Sequence, residues 1–306
     1  MPRFSYKLSA AQGRLLMKYE GSIYRPPSEA DSLILQVAVG CSYNRCTFCS
    51  SFQEKKFRIK SFEEVKEDID EASLYGPILR VFLADGDALV IPQNELTRIL
   101  KYLKLKLPRL QRVGIYANAR DILKKGSDEL KELRELGLGI IYLGLESGNP
   151  QVLKRIKKNA TVEQMNQAAK RVKEAGILLS VTVLLGIGGV ELSHVHAEDT
   201  GKVLSGMDPD YVGALSLIVV PGTPIAKQID SGTLEIPGPF GLIEELEIMI
   251  ANCHFTHCFF ASNHASNYLP LRIWMPEGKE EGLTLIRDVL RKKDEIMLRP
   301  EYLRAL

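Results

Sequence analysis

Short apolar runs alternate with amphipathic helical spans along most of this chain, and this alternation sets narrow limits on its fold. Apolar runs of this length are typical of buried strands, and strands that alternate with helices form parallel sheets. The rhythm by itself fits a partial barrel or a doubly wound sheet. The six predicted strands are Ile34–Val39, Leu79–Leu83, Val113–Tyr116, Ile140–Leu145, Leu178–Leu185 and Tyr211–Val220.

Helix signals stand between these strands. Ser61 can cap the first helix, which carries acidic residues in its first turn. Pro92 suits the start of the next helix, and glycines close several of the others. The predicted helices are Phe62–Tyr75, a span from Pro92, Ser127–Leu136, a span from Pro150, Val162–Ala175 and Ser193–Leu204.

The two flanks of the chain differ from its centre. The N-terminal flank is predicted to contain a short amphipathic helix near Ala10–Tyr19. Beyond the last strand, helices over Leu242–Ile250 and Glu280–Arg291 enclose an aromatic-rich stretch, Phe255–Tyr268. The predicted parts are an N-terminal extension (1–30), a core (31–224) and a mainly helical C-terminal extension that covers the core (225–306).

Composition and charge limit the class of protein that this chain can be and where it is expected to function. The chain has 306 residues, of which 45% are hydrophobic, and this is enough to bury a sizeable core. A formal net charge of +2 does not indicate nucleic-acid binding. No apolar run reaches the roughly 18 residues that span a bilayer, and Met1–Ala10 lacks the apolar centre of a signal peptide. We therefore expect a cytoplasmic protein without a membrane span.

Three of the five cysteines lie close together after the first predicted strand. In parallel α/β folds, the loops after the strand ends hold the active site. The thiolates of Cys41, Cys46 and Cys49 can hold three irons of a [4Fe–4S] cubane and leave the fourth iron open to a ligand. Structural zinc normally has four ligands and a ferredoxin cluster has a fourth cysteine, so both alternatives fit less well.

The loop from Gly40 to Cys49 resembles the cluster loop of radical S-adenosylmethionine (radical SAM) enzymes, including the aromatic Phe48 before the last cysteine. That family commonly has the spacing C-x3-C-x2-C, whereas this chain has C-x4-C-x2-C. The resemblance implies a [4Fe–4S] cluster on the three cysteines and S-adenosylmethionine (SAM) as a second cofactor. It also implies a (β/α)6 partial barrel of the TIM type, a choice that the rhythm of the chain leaves open.

The second strand leads into a further match to that family. Asp85-Gly86-Asp87 resembles the family's Gly-Gly-Glu position, where backbone carbonyls and a carboxylate accept hydrogen bonds from the methionyl ammonium of SAM. An ammonium group only donates, so it needs such acceptors. Asp87 stands where the family has glutamate. An ordinary Asp-Gly-Asp turn is the alternative.

The fourth strand ends in Gly144-Leu145-Glu146-Ser147-Gly148. This resembles the Gly-x-Glu-Ser-Gly signature of the branch that contains coproporphyrinogen dehydrogenase, MiaB and the catalytic subunit of Elongator. The resemblance implies that Glu146 and Ser147 lie beside the ribose and amino-acid portion of SAM. Lys158 follows where the branch often has a cation for the SAM carboxylate, which a lysine can serve as a point charge. The alternative is that Lys158 is a solvated charge within a basic run.

The last two strands complete the resemblance, which covers residues 31–224. Val181–Gly189 resembles the family's fifth-strand motif and implies that Thr182 lies near the ribose hydroxyls, although a β-branched core residue is an equal alternative. The stretch Val219–Pro224 resembles the loop that borders adenine through its backbone. Gly222 in that loop suits close backbone approach.

The resemblance implies a radical reaction. The reduced cluster gives one electron to SAM, and cleavage yields methionine and a 5′-deoxyadenosyl radical that abstracts hydrogen from an unidentified substrate. The protein supplies positioning, electrostatics and exclusion of water and oxygen. The resemblance implies an electron donor of the ferredoxin or flavodoxin type and is compatible with a partner protein. No catalytic residue is predicted.

Two contrasting hypotheses remain open. One is a non-enzymatic Fe–S or zinc protein, such as an electron carrier or an assembly scaffold, which would keep the cysteines without needing the SAM-site residues. The other is sulfur insertion of the lipoyl- or biotin-synthase type. That reaction usually needs an auxiliary cluster, which a partner chain would have to supply.

Two stretches of the C-terminal extension and a pair of histidines are also left open. The stretch from Cys253 through His254 and His257 to Cys258 could bind a metal, but free cysteines are more often buried as small apolar residues. Asn263–Tyr268 could line the substrate mouth or pack as a loop under the barrel. His194 and His196, near the start of a helix, are expected to be solvated.

Overall fold

A large, mostly parallel sheet forms the centre of the protein in this computed structural model, which describes residues 17–305. The helix expected near Ala10–Tyr19 lies mostly outside the described residues, and its last part, Met17–Tyr19, is not helical. The strands are β1 (Leu33–Gln36), β2 (Ala38–Val39), β3 (Arg58–Ile59), β4 (Arg80–Ala84), β5 (Arg112–Ala117), β6 (Leu138–Glu146), β7 (Leu178–Leu185), β8 (Tyr211–Ser216), β9 (Cys258–Ala261) and β10 (Arg272–Met275).

Helices connect the parallel strands, as the sequence predicts. The first of them starts at a capping box, because the Ser61 hydroxyl accepts from the Glu64 N–H at 3.3 Å and the Glu64 carboxylate accepts from the Ser61 N–H at 2.7 Å. None of the helices within residues 17–305 is long and apolar enough to cross a bilayer. The helices are α1 (Phe62–Ala72), α2 (Gln93–Lys106), α3 (Ala119–Lys124), α4 (Ser127–Glu135), α5 (Pro150–Arg155), α6 (Val162–Glu174), α7 (Gly189–Met207), α8 (Pro224–Asp230), α9 (Pro239–Ala251) and α10 (Lys279–Lys292).

The strand order decides between the two folds that the sequence rhythm leaves open. The order in the main sheet is β1-β4-β5-β6-β7-β8-β9-β10, and all neighbours are parallel except β9 and β10. A doubly wound sheet reverses its order at a switch point, whereas this order rises steadily along the chain. β1 and β10 are the two ends of the sheet, so the barrel is open. The predicted α/β partial barrel is therefore confirmed.

The first predicted strand, Ile34–Val39, is divided in two. β1 pairs with β4 in the main sheet, whereas β2 pairs with β3 in a small antiparallel sheet. Val37 lies between the two and donates its N–H to the Ala84 carbonyl at 2.6 Å. Gly40 then adopts a φ of +78°, a conformation that favours glycine. The chain thus leaves the main sheet at the point where the cysteine loop begins.

The C-terminal extension supplies two strands as well as helices. β9 adds to β8 in parallel, and β10 returns antiparallel to β9. On β9, Cys258 and Phe260 face the helical layer, while Phe259 and Ala261 are half-buried on the opposite face. From the sequence this region is predicted only as an aromatic-rich stretch, because four-residue strands carry too few alternations to be recognised.

The concave face of the sheet is closed at the end where the strands begin. Tyr116 and Tyr142 point into this face and meet the ring of Phe82 edge to face, with centroids 4.9 and 5.7 Å away. The chain before β1 fills the space below them. Glu29 is fully buried there, accepting from the Tyr142 hydroxyl at 2.5 Å and pairing with Arg112 at 2.7 Å. The opposite end of the barrel, at the carboxyl ends of the strands, carries the loops described next.

Candidate active site at the carboxyl ends of the strands

The cysteine loop lies at the carboxyl end of the barrel, between β2 and β3. Cys41, Cys46 and Cys49 are all half-buried free thiols. Burial raises the pKa of Cys46 to about 11, although the nearby Lys158 ammonium acts in the opposite direction. Within residues 17–305, no three His, Cys, Asp or Glu side chains are gathered around a position for a metal ion. In a cubane the three thiolates each bind a different iron, so they need not converge on one point.

Asp85 ties the two ends of this loop to the barrel. Its Oδ2 accepts from the Gly40 N–H at 2.9 Å, just before the first cysteine, and from Lys55 Nζ at 2.8 Å, beyond the last one. Gln36 Nε2 donates to the same oxygen at 3.2 Å. The side chains of Lys55 and Asp85 are 4% and 0% exposed, so their ion pair is buried. Asp85 therefore has a clear role in holding the loop.

Two aromatic rings pack the loop from either side. A Cβ on Gly86 would lie 2.4 Å from the ring of Phe52, so only glycine fits beneath that ring. Phe48 is half-buried against a cluster of apolar side chains to which α5, α7 and α8 contribute. The Thr47 backbone also bonds on both sides, to the Ile156 carbonyl at 3.0 Å and to the Ile225 N–H at 3.1 Å. The loop is thus fixed against the later half of the barrel.

Asp87 lies under the loop with one free carboxylate oxygen. Its Oδ2 accepts from the Ser42 hydroxyl and from Asn118 Nδ2, the latter at 2.5 Å. Its Oδ1 is buried and has no hydrogen-bond partner. Burial, followed by the negative charge of Asp121, raises the pKa of Asp87 to about 8. With that pKa the carboxyl group is largely protonated at neutral pH, and a cationic ligand next to it would favour the charged form, which accepts hydrogen bonds.

Glu146 and Lys158 form an ion pair next to the cysteine loop. Lys158 Nζ donates to Glu146 Oε1 at 2.9 Å, and the two side chains are 13% and 11% exposed. Lys158 is therefore not the solvated charge that its basic run would suggest. Burial works against its charged form, but Glu146 and then Cys46 raise the pKa of Lys158. A Cβ on Gly144 would lie 2.2 Å from Glu146 Oε1, so a larger residue at this position would displace the Glu146 carboxylate.

The other predicted site residues are more scattered. Thr182 is half-buried on β7, between Gly144 on β6 and Gly213 on β8. Small neighbours on both sides leave its side chain room on the concave face. Ser147 is fully buried, and its hydroxyl forms a hydrogen bond with the buried His196 ring. Gly222 is exposed at φ +88°, with nothing within 4 Å of the place where a Cβ would stand.

The structure corrects one expectation about the histidines. His194 has a side chain that is 77% exposed, as expected, but His196 is fully buried, so its prediction as a solvated residue is wrong. α7 begins at Gly189, which turns His196 into the interior while His194 faces outward. Asn118 is not among the site residues predicted from the sequence, although it follows β5 and caps the N-terminus of α3, a position that could have indicated it.

The two open stretches of the C-terminal extension are mainly packed. Cys253 and Cys258 are fully buried, whereas His254 and His257 are exposed, so these groups face different environments. Burial raises the pKa of Cys258 to about 12, which is the behaviour of a neutral core thiol. Within Asn263–Tyr268, Asn267 is buried and donates to the Ala214 and Ser262 carbonyls at 2.7 and 2.8 Å.

The side chains of this site suit an iron–sulfur cluster together with a ligand that carries both an ammonium and a carboxylate group. Three thiols on one loop match the ligand number of a cubane with one open iron. The unpartnered Asp87 oxygen matches an ammonium donor, and Lys158 matches a carboxylate. These groups surround the loop at the carboxyl ends of β4 and β6.

Comparison with known families agrees with this site. A family model described as the radical SAM superfamily matches residues 35–198, which is more than half of the chain. The protein therefore belongs to the radical SAM superfamily. Enzymes of this superfamily use a [4Fe–4S] cluster and SAM.

Relatives with assigned names are distant. Anaerobilin synthase of Escherichia coli O157:H7 is 21% identical in an alignment of 267 residues that covers 83% of this chain and 58% of that protein. An uncharacterized methyltransferase of Pyrococcus horikoshii is 28% identical over 193 residues, which are 62% of this chain and 40% of that protein. The chain thus spans between 40% and 58% of the length of these two relatives.

Solved structures share the fold. Coproporphyrinogen III oxidase from Escherichia coli aligns with a TM-score of 0.56 at 16% identity, over 72% of this chain and 51% of that one. Methylornithine synthase aligns with a TM-score of 0.52 at 20% identity, over 73% of this chain and 63% of that one. At these identities the likeness concerns the fold alone.

Proposed function

We propose that this protein is a radical SAM enzyme whose Cys41, Cys46 and Cys49 hold a [4Fe–4S] cluster. When bound and reduced, the cluster supplies the electron that cleaves SAM into methionine and a 5′-deoxyadenosyl radical, which abstracts hydrogen from a substrate still to be identified. The observation that carries the proposal is the buried set of SAM-compatible groups around the cysteine loop. An electron carrier would need the thiols but not these groups.

The roles of the surrounding residues follow from their chemistry. Lys158 attracts the SAM carboxylate, and Glu146 holds the lysine in place through their 2.9 Å contact. Asp87 accepts from the SAM ammonium through its free Oδ1. Asp85 and Gly86 act on the loop itself, through Lys55 and Phe52.

The remaining proposed contacts lie along the later strands. Thr182, on the concave face, contacts the ribose, and the backbone at Gly222 borders the adenine. Phe48 shields the cluster side of the site from solvent. Ser147 acts on the site indirectly: from the interior it supports the backbone at Glu146. Exclusion of water strengthens each of these charge interactions.

The proposal extends to the organisation of the chain. Residues 31–224 are the catalytic core, residues 1–30 precede it, and residues 225–306 cover the barrel. The electron comes from a donor of the ferredoxin or flavodoxin type. Because the cluster needs reduced thiols, we place the enzyme in the cytoplasm.

The test is formation of 5′-deoxyadenosine. The protein is purified without oxygen, reconstituted with iron and sulfide, reduced with dithionite and mixed with SAM. We expect 5′-deoxyadenosine to form, and we expect Cys46→Ala to lose both the iron and the product. Cys253→Ala removes a buried thiol outside the loop, so it should keep the iron content of the native protein.

The spectrum of the cluster distinguishes the enzyme from a carrier. The electron paramagnetic resonance signal of the reduced cluster should change when SAM is added, and Asp87→Asn and Lys158→Met should weaken that change. An intact, reduced cluster whose signal ignores SAM would contradict the proposal and favour an electron carrier or scaffold.

A further inference from the structure

Glu146 is held in a backbone conformation that a glutamate rarely adopts. It ends β6 with a φ of +64°, and the Ser147 N–H bonds to the Leu145 carbonyl at 2.8 Å across it. A hydrogen bond between residues two apart, with a positive φ between them, makes a tight three-residue turn. Non-glycine residues keep such a conformation only when their surroundings hold it. The turn directs the Glu146 carboxylate to Lys158.

The residues after Glu146 are held by one turn of α7. The Ser147 hydroxyl lies 2.8 Å from His196 Nδ1, and the Gly148 N–H donates to Thr200 Oγ1 at 2.8 Å. A Cβ on Gly148 would come within 2.5 Å of the Asp199 carbonyl, so the helix backbone packs directly on this glycine. The Ser-Gly pair that follows the glutamate is therefore explained by contact with α7.

The second nitrogen of His196 fixes the direction of these hydrogen bonds. Nε2 lies 3.1 Å from the Leu184 carbonyl, which can only accept, so this nitrogen carries the proton. Nδ1 is then an acceptor, and Ser147 donates its hydroxyl proton to it. The Ser147 oxygen accepts in turn from the Asn149 N–H at 3.0 Å. The ring thus connects the ends of β6 and β7.

The C-terminal extension supports the histidine from the other side. Glu245 on α9 is fully buried and accepts from the Gly186 N–H at 2.6 Å and from the Ser193 hydroxyl at 2.7 Å. One of its oxygens lies 3.8 Å from His196 Nε2. Burial lowers the pKa of His196 to about 4, so the ring is neutral at physiological pH.

We propose that His196 is a positioning residue for the SAM site: through Ser147 it holds the Glu146 turn, and so keeps the Glu146–Lys158 pair aimed at the cofactor. This inference rests on the proposed function, because it assigns the pair to SAM. His196 touches neither Glu146 nor Lys158 in any hydrogen bond among the described residues, so it acts through the turn. A histidine that served only to fill the core would affect stability without affecting SAM affinity selectively.

The test measures SAM affinity together with iron content on the anaerobically reconstituted protein. His196→Phe keeps a ring but removes both hydrogen bonds, and Ser147→Ala breaks the same connection with a smaller change in volume. We expect each to weaken SAM binding by about tenfold, as expected for loss of one buried hydrogen bond. Iron content should stay the same. His196→Asn keeps an acceptor near the Nδ1 position and should restore part of the affinity. His194→Ala, at an exposed histidine, should leave it unchanged.

A second variant separates positioning from simple packing. In a Glu146→Gln background the carboxylate is already lost, so Ser147→Ala should weaken SAM binding no further. If Ser147→Ala lowers affinity equally in both backgrounds, or leaves it unchanged in the native chain, the inference is overturned. If the native protein with an intact cluster does not bind SAM at all, the proposed function fails instead.

Discussion

Removing the Lys55 ammonium should destabilise the fold around the cysteine loop by a measurable amount. The Lys55–Asp85 pair is almost fully buried, with 2.8 Å between Nζ and Oδ2. Loss of one partner from a buried pair typically costs about 3–5 kcal/mol, because the other charge stays in the interior. Asp85 keeps two donors, the Gly40 N–H and Gln36 Nε2. We therefore expect Lys55→Met to cost about 3 kcal/mol, at the low end of that range.

The assay is urea unfolding of the cluster-free protein under reducing conditions, compared with two further variants. Lys55→Met combined with Asp85→Asn removes both charges, and the amide oxygen still accepts from the same donors, so most of the loss should be recovered. Lys66→Met breaks a pair with Asp70 whose side chains are 44% and 32% exposed, and should cost far less than Lys55→Met because solvent screens this pair. If Lys55→Met proves no more harmful than Lys66→Met, the buried pair does not have the role described here.

Three further outcomes follow from the structure. Burial raises the pKa of Glu245 from 4.5 to about 7, so its ionisation lowers stability progressively as the pH rises between these values. Urea unfolding should show Glu245→Gln gaining about 2 kcal/mol on the native chain between pH 5 and pH 8, and an equal difference at both pH values would contradict this. Gly148→Ala should cost about 1–3 kcal/mol by overpacking against α7, whereas Gly206→Ala, within α7 itself and with its nearest neighbour 3.5 Å away, should be neutral or stabilising in thermal unfolding. Gly144→Ala should displace the Glu146 carboxylate and weaken SAM binding in anaerobic equilibrium dialysis, and unchanged binding would argue against the pair's role.

The helices and strands of the barrel were largely predictable because each has a strong local signal. β7 has the same bounds as its predicted strand, Leu178–Leu185, since its run of apolar residues is interrupted only by Ser180 and Thr182 and is a strong strand signal. β9 and β10 were not predicted. Their place in the sheet depends on pairing with β8, a contact between residues far apart in the chain, and local pattern does not encode it.

The residues of the candidate site were also predictable only where they have a local sequence signal. The cysteines and Asp87 follow strands and Glu146 ends one, and a family resemblance could identify them. The role of His196 could not be predicted in this way. Two histidines separated by one residue look alike in sequence, and only the contacts of α7 determine which one is buried.

The pairing of β9 with β8 restricts how this chain can be recombined with those of its relatives. Tyr211 and Gly213 stand opposite Phe259 and Ala261 in a shared ladder, and the Gly186 N–H is bonded to Glu245. A hybrid joined at the end of the core would bring together a barrel and an extension that had not been selected to fit each other. If the C-terminal extension were exchanged between relatives, the residues that it contacts on β8 and at the end of β7 would have to be exchanged with it. Barrel and extension are expected to diversify together as one inherited unit.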